Sequence, residues 1–385
     1  MMMDKVYLII SEGEMHLKGG NRRYFEQKLI SNIDKNLKDI GYDSLYNDIG
    51  KIIIEVDDAK SEKAIEALKK VFGIVWIRKA YRCEKDIEVI RRLAIDLVKE
   101  KNLKGTFKAS STRADKKFPL NSMELAREVG AVILINTEGL KVDVHNPEHE
   151  VYVDIRKFAY VSVEKHKALG GMPKATNGKA LCLLSGGIDS PVALYMMAKR
   201  GVKVDAIHFH SYPFTSLQAL EKVKGLRDIV AAYTGDIKLY SYNMLDAYTA
   251  INQNMNVSYT TVVSRRIMMR VAKKLAHDKG YDAIITGENI GQVASQTMYG
   301  IKAIEDATDM VIFRPLIAFD KLDIIDIAKK IGTYDKSIEP FDDCCSVFSP
   351  DHPQTRPLIA DVKREEEKID IDAIVDDIYK KGELL

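Results

Sequence analysis

The fold of this chain is decided by one stretch, Ala180-Leu-Cys-Leu-Leu-Ser-Gly-Gly-Ile-Asp-Ser-Pro-Val-Ala-Leu-Tyr-Met-Met-Ala-Lys-Arg-Gly201. Its first five residues form a continuous apolar run, which is typical of a strand buried on both faces of a sheet. The residues from Pro191 onward favour a helix that stops at Gly201. A strand, a glycine turn and a helix in this order predict an anion-binding site, because bare backbone amides and the helix N-terminus both attract negative charge.

The turn itself, Ser185-Gly-Gly-Ile-Asp-Ser190, lacks the Gly-Lys-Ser/Thr ending of a Walker motif. It resembles the loop of the ATP pyrophosphatase (PP-loop) superfamily, which implies that ATP is bound through its pyrophosphate and activates a carbonyl oxygen by adenylation. In such a site Asp189 would organise Mg2+ and the two serines would hydrogen-bond phosphate oxygens. The alternative is an ordinary capped glycine turn, which six matching residues at a strand-to-helix junction disfavour. The candidate residues in this turn are Ser185, Gly186, Gly187, Asp189 and Ser190.

Composition bounds the class of protein. A length of 385 residues predicts two or three domains, and 46% apolar with 30% charged residues is typical of a soluble globular protein. No apolar run approaches membrane-spanning length and the N-terminus has no signal-peptide layout, so we expect a cytoplasmic protein with no membrane partner. Four cysteines give no disulfide framework, and a net charge of +2 does not by itself indicate nucleic acid.

Residues 1–75 alternate as strand, helix, strand, strand and helix, which favours a small α+β domain of ferredoxin-like type. Three cations, Lys18, Arg22 and Arg23, stand just before or at the start of its first predicted helix. They either grip RNA phosphates or belong to a solvated helix start, and the sequence leaves both interpretations open.

Residues 76–168 predict a second α+β domain. A loop that follows one of its strands carries Arg113, Lys116 and Lys117, which are well placed to meet an RNA backbone. Phe118 in the same loop either stacks on a base or packs into the core.

The stretch Thr112-Arg-Ala-Asp-Lys-Lys-Phe-Pro-Leu-Asn-Ser122, followed by a helix and by Val142-Asp-Val-His-Asn-Pro147, resembles a THUMP domain, a module of RNA-modifying enzymes. With the ferredoxin-like domain before it and the PP-loop after it, the chain resembles the tRNA 4-thiouridine synthetase family from about Ile10 to Pro357. That family is also linked to thiamine-thiazole sulfur transfer. The resemblance implies an enzyme that adenylates O4 of the uridine at tRNA position 8 and replaces AMP with sulfur.

Residues 169–385 begin with a glycine-rich linker and continue as alternating strands and helices. This pattern predicts an α/β domain with a doubly wound, mostly parallel sheet, whose ligands bind at the carboxyl ends of the strands. By the resemblance, the nucleotide contacts outside the turn are Leu183, Leu184, His208, Phe209, Arg265, Gly287 and Gln296.

Each group of these residues has a competing structural explanation. His208 and Phe209 could simply pack at the sheet edge. Arg265 could belong to a salt-bridged helix face, and the residues around Gly287 could cap the following helix.

The last informative stretch, Pro340-Phe-Asp-Asp-Cys-Cys-Ser-Val-Phe-Ser-Pro-Asp-His-Pro353, holds two adjacent cysteines. A disulfide between neighbours is strained and no paired zinc-ligand spacing exists, so neither a disulfide nor a metal site is expected. The resemblance implies sulfur chemistry at Cys345 with Cys344 as its neighbour, either as persulfide carrier or as the nucleophile that resolves one. Cys83 and Cys182 are interpreted as small buried apolar residues.

The source of sulfur stays open at this point. The sequence ends at Leu385 without the rhodanese-like domain of some relatives, so we expect either a persulfide donor such as a cysteine desulfurase or free sulfide. A homodimer that contacts one tRNA from two subunits is compatible with the sequence. Two other functions are weighed: a PP-loop ligase or amidating synthetase for a small molecule, which leaves roughly half of the chain unexplained, and a non-catalytic RNA-binding module, which the intact turn disfavours.

Overall fold

The structure, a computed structural model, describes residues 4–293, 295–341 and 343–385, with the side chains of residues 15–18, 345 and 346 left out. The chain forms two compact units, one ending at Pro173 and the other beginning at Lys174. Among the described residues, no helix combines the length and the apolar character needed to cross a bilayer.

The first unit combines a single sheet with four α-helices among its described residues. A 3-10 helix (Glu14–Asn21) precedes the first α-helix. In chain order the elements are β1 (Lys5–Glu12), α1 (Arg22–Leu37), β2 (Ser44–Asp48), β3 (Lys51–Asp57), α2 (Asp58–Lys69), β4 (Ile74–Cys83), α3 (Ile87–Glu100), β5 (Gly105–Arg113), α4 (Ser122–Asn136), β6 (Leu140–Val142), β7 (His149–Ile155) and β8 (Ala159–Lys167).

Hydrophobic spacing accounts for the layers of this unit. The predicted first helix is present as α1, and it buries Phe25, Leu29, Ile33 and Leu37 at four-residue intervals. In β1, Val6, Leu8 and Ile10 alternate with Tyr7 and Ile9, and the two sets belong to different apolar clusters. One face of the sheet therefore packs against the helices.

The sheet runs in the order β2-β3-β1-β4-β8-β7-β5-β6, so both predicted N-terminal modules share it. β4 pairs antiparallel with β1 on one side and with β8 on the other. The boundary predicted between residues 75 and 76 thus falls within a strand. Strand β4 was not foreseen because its hydrogen-bond partners lie far away in the sequence.

The second unit has the predicted alternation of strands and helices. A second 3-10 helix (Val257–Tyr259) precedes its longest α-helix. The elements are β9 (Lys179–Leu183), α5 (Asp189–Lys199), β10 (Lys203–His210), α6 (Leu217–Thr234), β11 (Leu239–Asn243), α7 (Leu245–Asn254), α8 (Thr260–Lys279), β12 (Ala283–Ile285), α9 (Met298–Glu305), β13 (Val311–Phe313), α10 (Lys321–Ile331), α11 (Tyr334–Ser337), α12 (Cys344–Val347), α13 (Ile359–Glu366), α14 (Ile371–Lys380) and β14 (Glu383–Leu384).

The sheet order β13-β12-β9-β10-β11-β14 confirms the predicted doubly wound fold. All neighbours are parallel except β14, which pairs antiparallel with β11. Leu181, Ile207 and Ile284 are fully buried at the centre. The chain leaves β9 toward β10 on one side and returns to β12 on the other, so the carboxyl ends of β9 and β12 flank the point where a doubly wound sheet binds its ligand.

A buried ion network joins α8 to the C-terminal helices. Arg266 has no exposed surface, and it donates hydrogen bonds to Glu366 at 2.9 and 3.0 Å and to Asp306 at 3.1 Å. Arg270 also donates to Glu366, at 2.6 and 2.9 Å. Burial alone would raise the pKa of Glu366, but the hydrogen bonds from both arginines lower it. The carboxylate is therefore charged and fixes α13 against α8.

Changing Glu366→Ala should destabilise the second unit by about 3 kcal/mol, because a buried arginine is left without its carboxylate. Urea unfolding read by hydrogen exchange of α8 peptides measures this change. Glu367→Ala, at the exposed neighbouring glutamate, is the control and should change stability by less than about 0.5 kcal/mol. Equal effects of the two substitutions would contradict a structural role for the network.

Candidate active site

The turn between β9 and α5 is held in shape by its own serines. The Ser185 amide donates to Ser190 Oγ at 2.9 Å, and the two hydroxyl oxygens lie 3.1 Å apart. The Gly187 amide donates to Ser185 Oγ at 3.2 Å. These hydrogen bonds organise the turn through its own side chains. Binding of phosphate by the same two hydroxyls stays a prediction.

A cavity of about 220 Å³ opens beside this turn. Residues at the ends of β9, β10 and β12 line it, together with parts of α5 and α8, and Met268, Met269 and Ile304 give it an apolar wall. Gly186 lies between two lining residues in the same turn. The predicted residues among the lining are Leu183, Leu184, Ser185, Gly187, Asp189, Ser190, His208, Phe209, Arg265, Gly287, Gln296 and Cys344.

Gly287 lets the loop after β12 press against the start of α5. A Cβ atom placed on Gly287 would lie 2.8 Å from the Ser190 amide nitrogen and 2.9 Å from Ser190 Cα. Both atoms belong to the backbone and cannot rotate away. Any larger residue at position 287 would therefore displace the helix start that carries Asp189.

Asp189 is the acidic group at the head of α5, and two side chains from distant segments hold it. Lys321, at the start of α10, donates to Oδ1 at 2.6 Å. Gln292 donates to Oδ2 at 2.9 Å. Neither partner was predicted, and Lys321 brings a positive charge next to the anion-binding turn.

A second carboxylate group, Glu288, lies almost fully buried in the lining. Arg265 donates to its Oε1 at 3.1 Å, and Arg314 donates to Oε2 at 2.8 Å. The Thr286 hydroxyl donates to Oε2 at 3.0 Å. The bond to Glu288 fixes Arg265 at the cavity, while Arg266, the next residue of α8, belongs to the ion network on the other side of the helix.

The strand end of β10 brings a buried imidazole to the cavity. His208 Nδ1 lies 2.9 Å from the Leu184 carbonyl oxygen, which can only accept, so Nδ1 carries the proton in this hydrogen bond. Burial lowers the pKa of His208, and it lowers the pKa of His210 to about 4. Both rings are therefore neutral near pH 7. His208 and Phe209 are buried in the core of the unit and also line the cavity. The two interpretations of these residues, core packing and a position at the candidate site, are therefore compatible.

The cysteine loop reaches the same cavity. Cys344 is buried, and its Sγ donates to the Phe209 carbonyl oxygen at 3.3 Å. The side chain of Cys345 lies outside the described residues. Cys182 is buried behind the turn and Cys83 is half-buried, and burial raises the pKa of both thiols. These two keep the structural interpretation that the sequence gives them.

Comparison with protein-family models identifies all three predicted parts. A model described as Thiamine biosynthesis protein (ThiI) matches residues 175–371. The ThiI ferredoxin-like domain matches residues 7–77, and the THUMP domain matches residues 84–164. The chain belongs to the ThiI family. The resemblance predicted from the turn and the THUMP motif is thereby confirmed.

Relatives of this ThiI-family chain match it over nearly its full length. A probable tRNA sulfurtransferase of Alkaliphilus metalliredigens is 49% identical and covers 96% of this chain and 95% of its own. One of Finegoldia magna is 47% identical, with 98% of both chains covered. A 4-thiouridine synthetase crystallised with RNA and bound ATP has 35% identity and a TM-score of 0.90, covering 100% of this chain and 99% of its own.

The cations predicted to bind RNA differ in exposure in the ThiI chain. Arg23, Lys116 and Lys117 are exposed, and Arg22 is half-buried beside Glu26. The side chain of Lys18 lies outside the described residues. Two residues of the THUMP loop have structural roles instead.

Arg113 donates to the Phe118 carbonyl oxygen at 2.9 Å, so it shapes the loop. Phe118 is 5% exposed and belongs to the hydrophobic core. Of the two interpretations of this residue, packing into the core is therefore correct and stacking on an RNA base is not. The exposed lysines are therefore the stronger candidates for RNA binding in this loop.

Sequence reasoning missed Lys321, Glu288 and Asp343, although all three reach the site of this ThiI-family chain. Asp343 accepts a hydrogen bond from the Gly186 amide at 3.0 Å. A lone charged residue carries no local signal of its distant partner. Glu288 and Asp343 had one hint each, because they adjoin the predicted site residues Gly287 and Cys344.

Gly287→Ala should weaken ATP binding by at least about tenfold, because the added methyl group pushes against the backbone of Ser190. Calorimetry with ATP measures the affinity directly. Gly20→Ala is the control, since a Cβ there meets nothing within 4 Å, and its affinity should equal that of the unchanged protein. Unaltered ATP affinity in Gly287→Ala would show that ATP binding does not require the close approach of residue 287 to Ser190.

Proposed function

We propose that this chain is an ATP-dependent tRNA sulfurtransferase that forms 4-thiouridine at position 8 of tRNA. One observation carries the proposal: the cavity stands on a PP-loop turn, in a chain that shares its whole fold with a 4-thiouridine synthetase crystallised with RNA and ATP. ATP adenylates O4 of the uridine, and sulfur then displaces AMP at C4. A link to thiamine thiazole formation is part of the same proposal, because the matching family model is named for thiamine biosynthesis.

The turn of residues 185–190 receives the pyrophosphate part of ATP. Its amides and the N-terminus of α5 offer hydrogen bonds and partial positive charge to phosphate oxygens. The backbones of Leu183, Leu184, His208 and Phe209 contact the nucleotide, and the apolar wall of the cavity suits its adenosine part. Arg265, Gly287 and Gln296 complete the nucleotide site. Gln296 supports this role, since its buried Oε1 has no hydrogen-bond partner among the described residues.

Mg2+ suits the donor set at the turn. Asp189 offers one carboxylate beside the phosphate site, and Mg2+ is commonly held by one or two carboxylates plus substrate phosphates. Within the described residues, no group of three or more His, Cys, Asp and Glu side chains forms a metal site, so phosphate oxygens would have to supply further ligands. Bound there, the ion would neutralise charge on the phosphates.

Lys321 is the further cation of this proposed site. Its ammonium group lies 2.6 Å from Asp189, so it is within reach of a phosphate that binds at the turn. A fixed positive charge at that point stabilises the negative charge that builds up on pyrophosphate as it leaves. Gln292 holds the second oxygen of Asp189 and keeps the carboxylate oriented.

Sulfur enters at the cysteine loop in this proposal. A persulfide on Cys345 presents its terminal sulfur to C4 of the adenylated uridine, and AMP leaves. A thiol then attacks Cys345 Sγ, which releases 4-thiouridine and leaves a disulfide between that thiol and Cys345. Cys344 is the neighbouring thiol, and the strained disulfide that it would form with Cys345 is transient and is reduced again by an external thiol. Free sulfide attacking C4 gives the same product without an S–S bond. The donor of the first route is a cysteine desulfurase or a similar persulfide source.

The first unit holds the tRNA. Arg22, Arg23, Lys116 and Lys117 bind phosphates, which position an RNA without reading its sequence. The target base has to leave its stack to reach the cavity. A ligase for a small molecule would leave the eight-stranded sheet without a function, and nothing at the site favours that alternative.

Asp189→Ala should lower AMP formation by at least about a hundredfold, because the turn loses its charged ligand for Mg2+ and Lys321 loses its partner. Release of AMP from ATP in the presence of tRNA measures the step, and mass analysis of tRNA nucleosides measures 4-thiouridine. tRNA binding should persist. Asp326→Ala, at an exposed aspartate of α10, is the control and should form AMP at the rate of the unchanged protein. Full thiolation of tRNA by Asp189→Ala would contradict the role proposed for Asp189.

Replacing Lys116 and Lys117 together by Ala should weaken tRNA binding by about tenfold. The slope of log affinity against log salt concentration should also become shallower by about 1 for each phosphate that the variant no longer neutralises. Filter binding at several salt concentrations measures both quantities. Lys380→Ala, at an exposed lysine of the acidic C-terminal helix, should change neither; an unchanged salt slope in the double variant would argue against RNA binding at this loop.

A further inference from the structure

The cysteine loop is hydrogen-bonded to the phosphate-binding turn through Asp343. The Gly186 amide donates to Asp343 Oδ1 at 3.0 Å, across 157 residues of sequence. Asp343 lines the nucleotide cavity and immediately precedes Cys344. The Gly186 amide of the phosphate-binding turn therefore donates to a carboxylate that belongs to the cysteine loop.

Two further hydrogen bonds anchor the same loop. Lys222, which is buried on α6, donates to the Glu339 carbonyl oxygen at 2.8 Å. Cys344 Sγ donates to the Phe209 carbonyl oxygen at 3.3 Å. Of these three bonds, the one between Asp343 and Gly186 uses an amide of the turn that the phosphates of ATP also need.

A carboxylate and a phosphate compete for that amide. Both are anionic oxygen acceptors that charge-assisted hydrogen bonds favour, and the Gly186 amide has one proton to donate. A Cβ built on Gly186 would lie 3.1 Å from Asp343 Oδ1 and 3.3 Å from Lys222 Cδ, so the turn is closely covered at this point. A pyrophosphate group arriving at the turn meets the Asp343 carboxylate with a like charge, which disfavours their coexistence.

We propose that Asp343 is a positioning residue that holds the cysteine loop on the phosphate-binding turn until the pyrophosphate part of ATP takes its place. The proposal rests on the proposed function in one respect, that ATP binds at this turn. Displacement of Asp343 frees the start of α12, and Cys344 becomes accessible. The Cys344 thiol is then presented while ATP or pyrophosphate occupies the turn and stays covered when it does not.

The consequence is an order of events in the reaction. A persulfide that was accessible before adenylation would lose its sulfur to other thiols or to reductants. With Asp343 as the link, the event that begins activation of the uridine also uncovers the sulfur loop. AMP alone should not have this effect, because it lacks the pyrophosphate that competes for Gly186.

The test is alkylation of Cys344 by iodoacetamide in the full chain, followed by mass spectrometry of the peptide. ATP with Mg2+, and pyrophosphate with Mg2+, should each raise the labelling rate by about tenfold, the factor expected when one charge-assisted hydrogen bond is broken. AMP should leave the rate unchanged. In Asp343→Ala, labelling should already be fast without nucleotide, and ATP should add nothing.

Two variants separate a positioning role from a general weakening of packing. Asp343→Asn keeps an oxygen acceptor for Gly186 but not the charge, so labelling without nucleotide should stay slow while less ATP should suffice to speed it up. Asp351→Ala removes an exposed carboxylate from the same segment and should behave like the unchanged protein.

ATP affinity measured by calorimetry on the same samples distinguishes failure of the proposed role of Asp343 from failure of the ATP site. If ATP binds but the labelling rate of Cys344 does not respond, the role of Asp343 is overturned and the ATP site stands. Identical labelling of Asp343→Ala and the unchanged protein also overturns it. If ATP does not bind at all, both this inference and the proposed function fail.

Discussion

The active site depends on the close approach of Gly287 to the start of α5. β9 and β12 are neighbours in the sheet, and each ends in a loop that turns toward the other at the point where the strand order reverses. Because residue 287 has no side chain, its backbone can approach Ser190 closely. That approach brings Asp189, Glu288 and Arg265 to one cavity.

Local patterns predicted most of the fold correctly. The four-residue spacing in α1 and the apolar run of β9 identify their elements, because each element buries one face or both faces against a single core. The shared sheet of the first unit could not be predicted in this way. β4 pairs with β1 and with β8, and which distant strands meet is decided by packing of the whole unit.

In the candidate site, too, local motifs were predictable from the sequence and contacts between distant residues were not. The turn residues and Gly287 were predicted because they resemble family motifs, and those motifs are local. Asp189 meets Lys321 across 132 residues, and Gly186 meets Asp343 across 157, so no spacing in the sequence reveals either pair. The resemblance placed Arg265 at the nucleotide, and the alternative of a salt-bridged helix face holds for Arg266, whose partners Asp306 and Glu366 no sequence spacing reveals.

The continuous sheet of the first unit has a mechanical consequence. Arg23 lies on α1, whose core residues pack on the same side as the interior of β1, and Lys117 lies in the loop after β5 of the same sheet. A hinge between the two modules would have to break the hydrogen bonds of β4 with β1 or with β8. The sheet therefore holds Arg23 and Lys117 at a fixed separation.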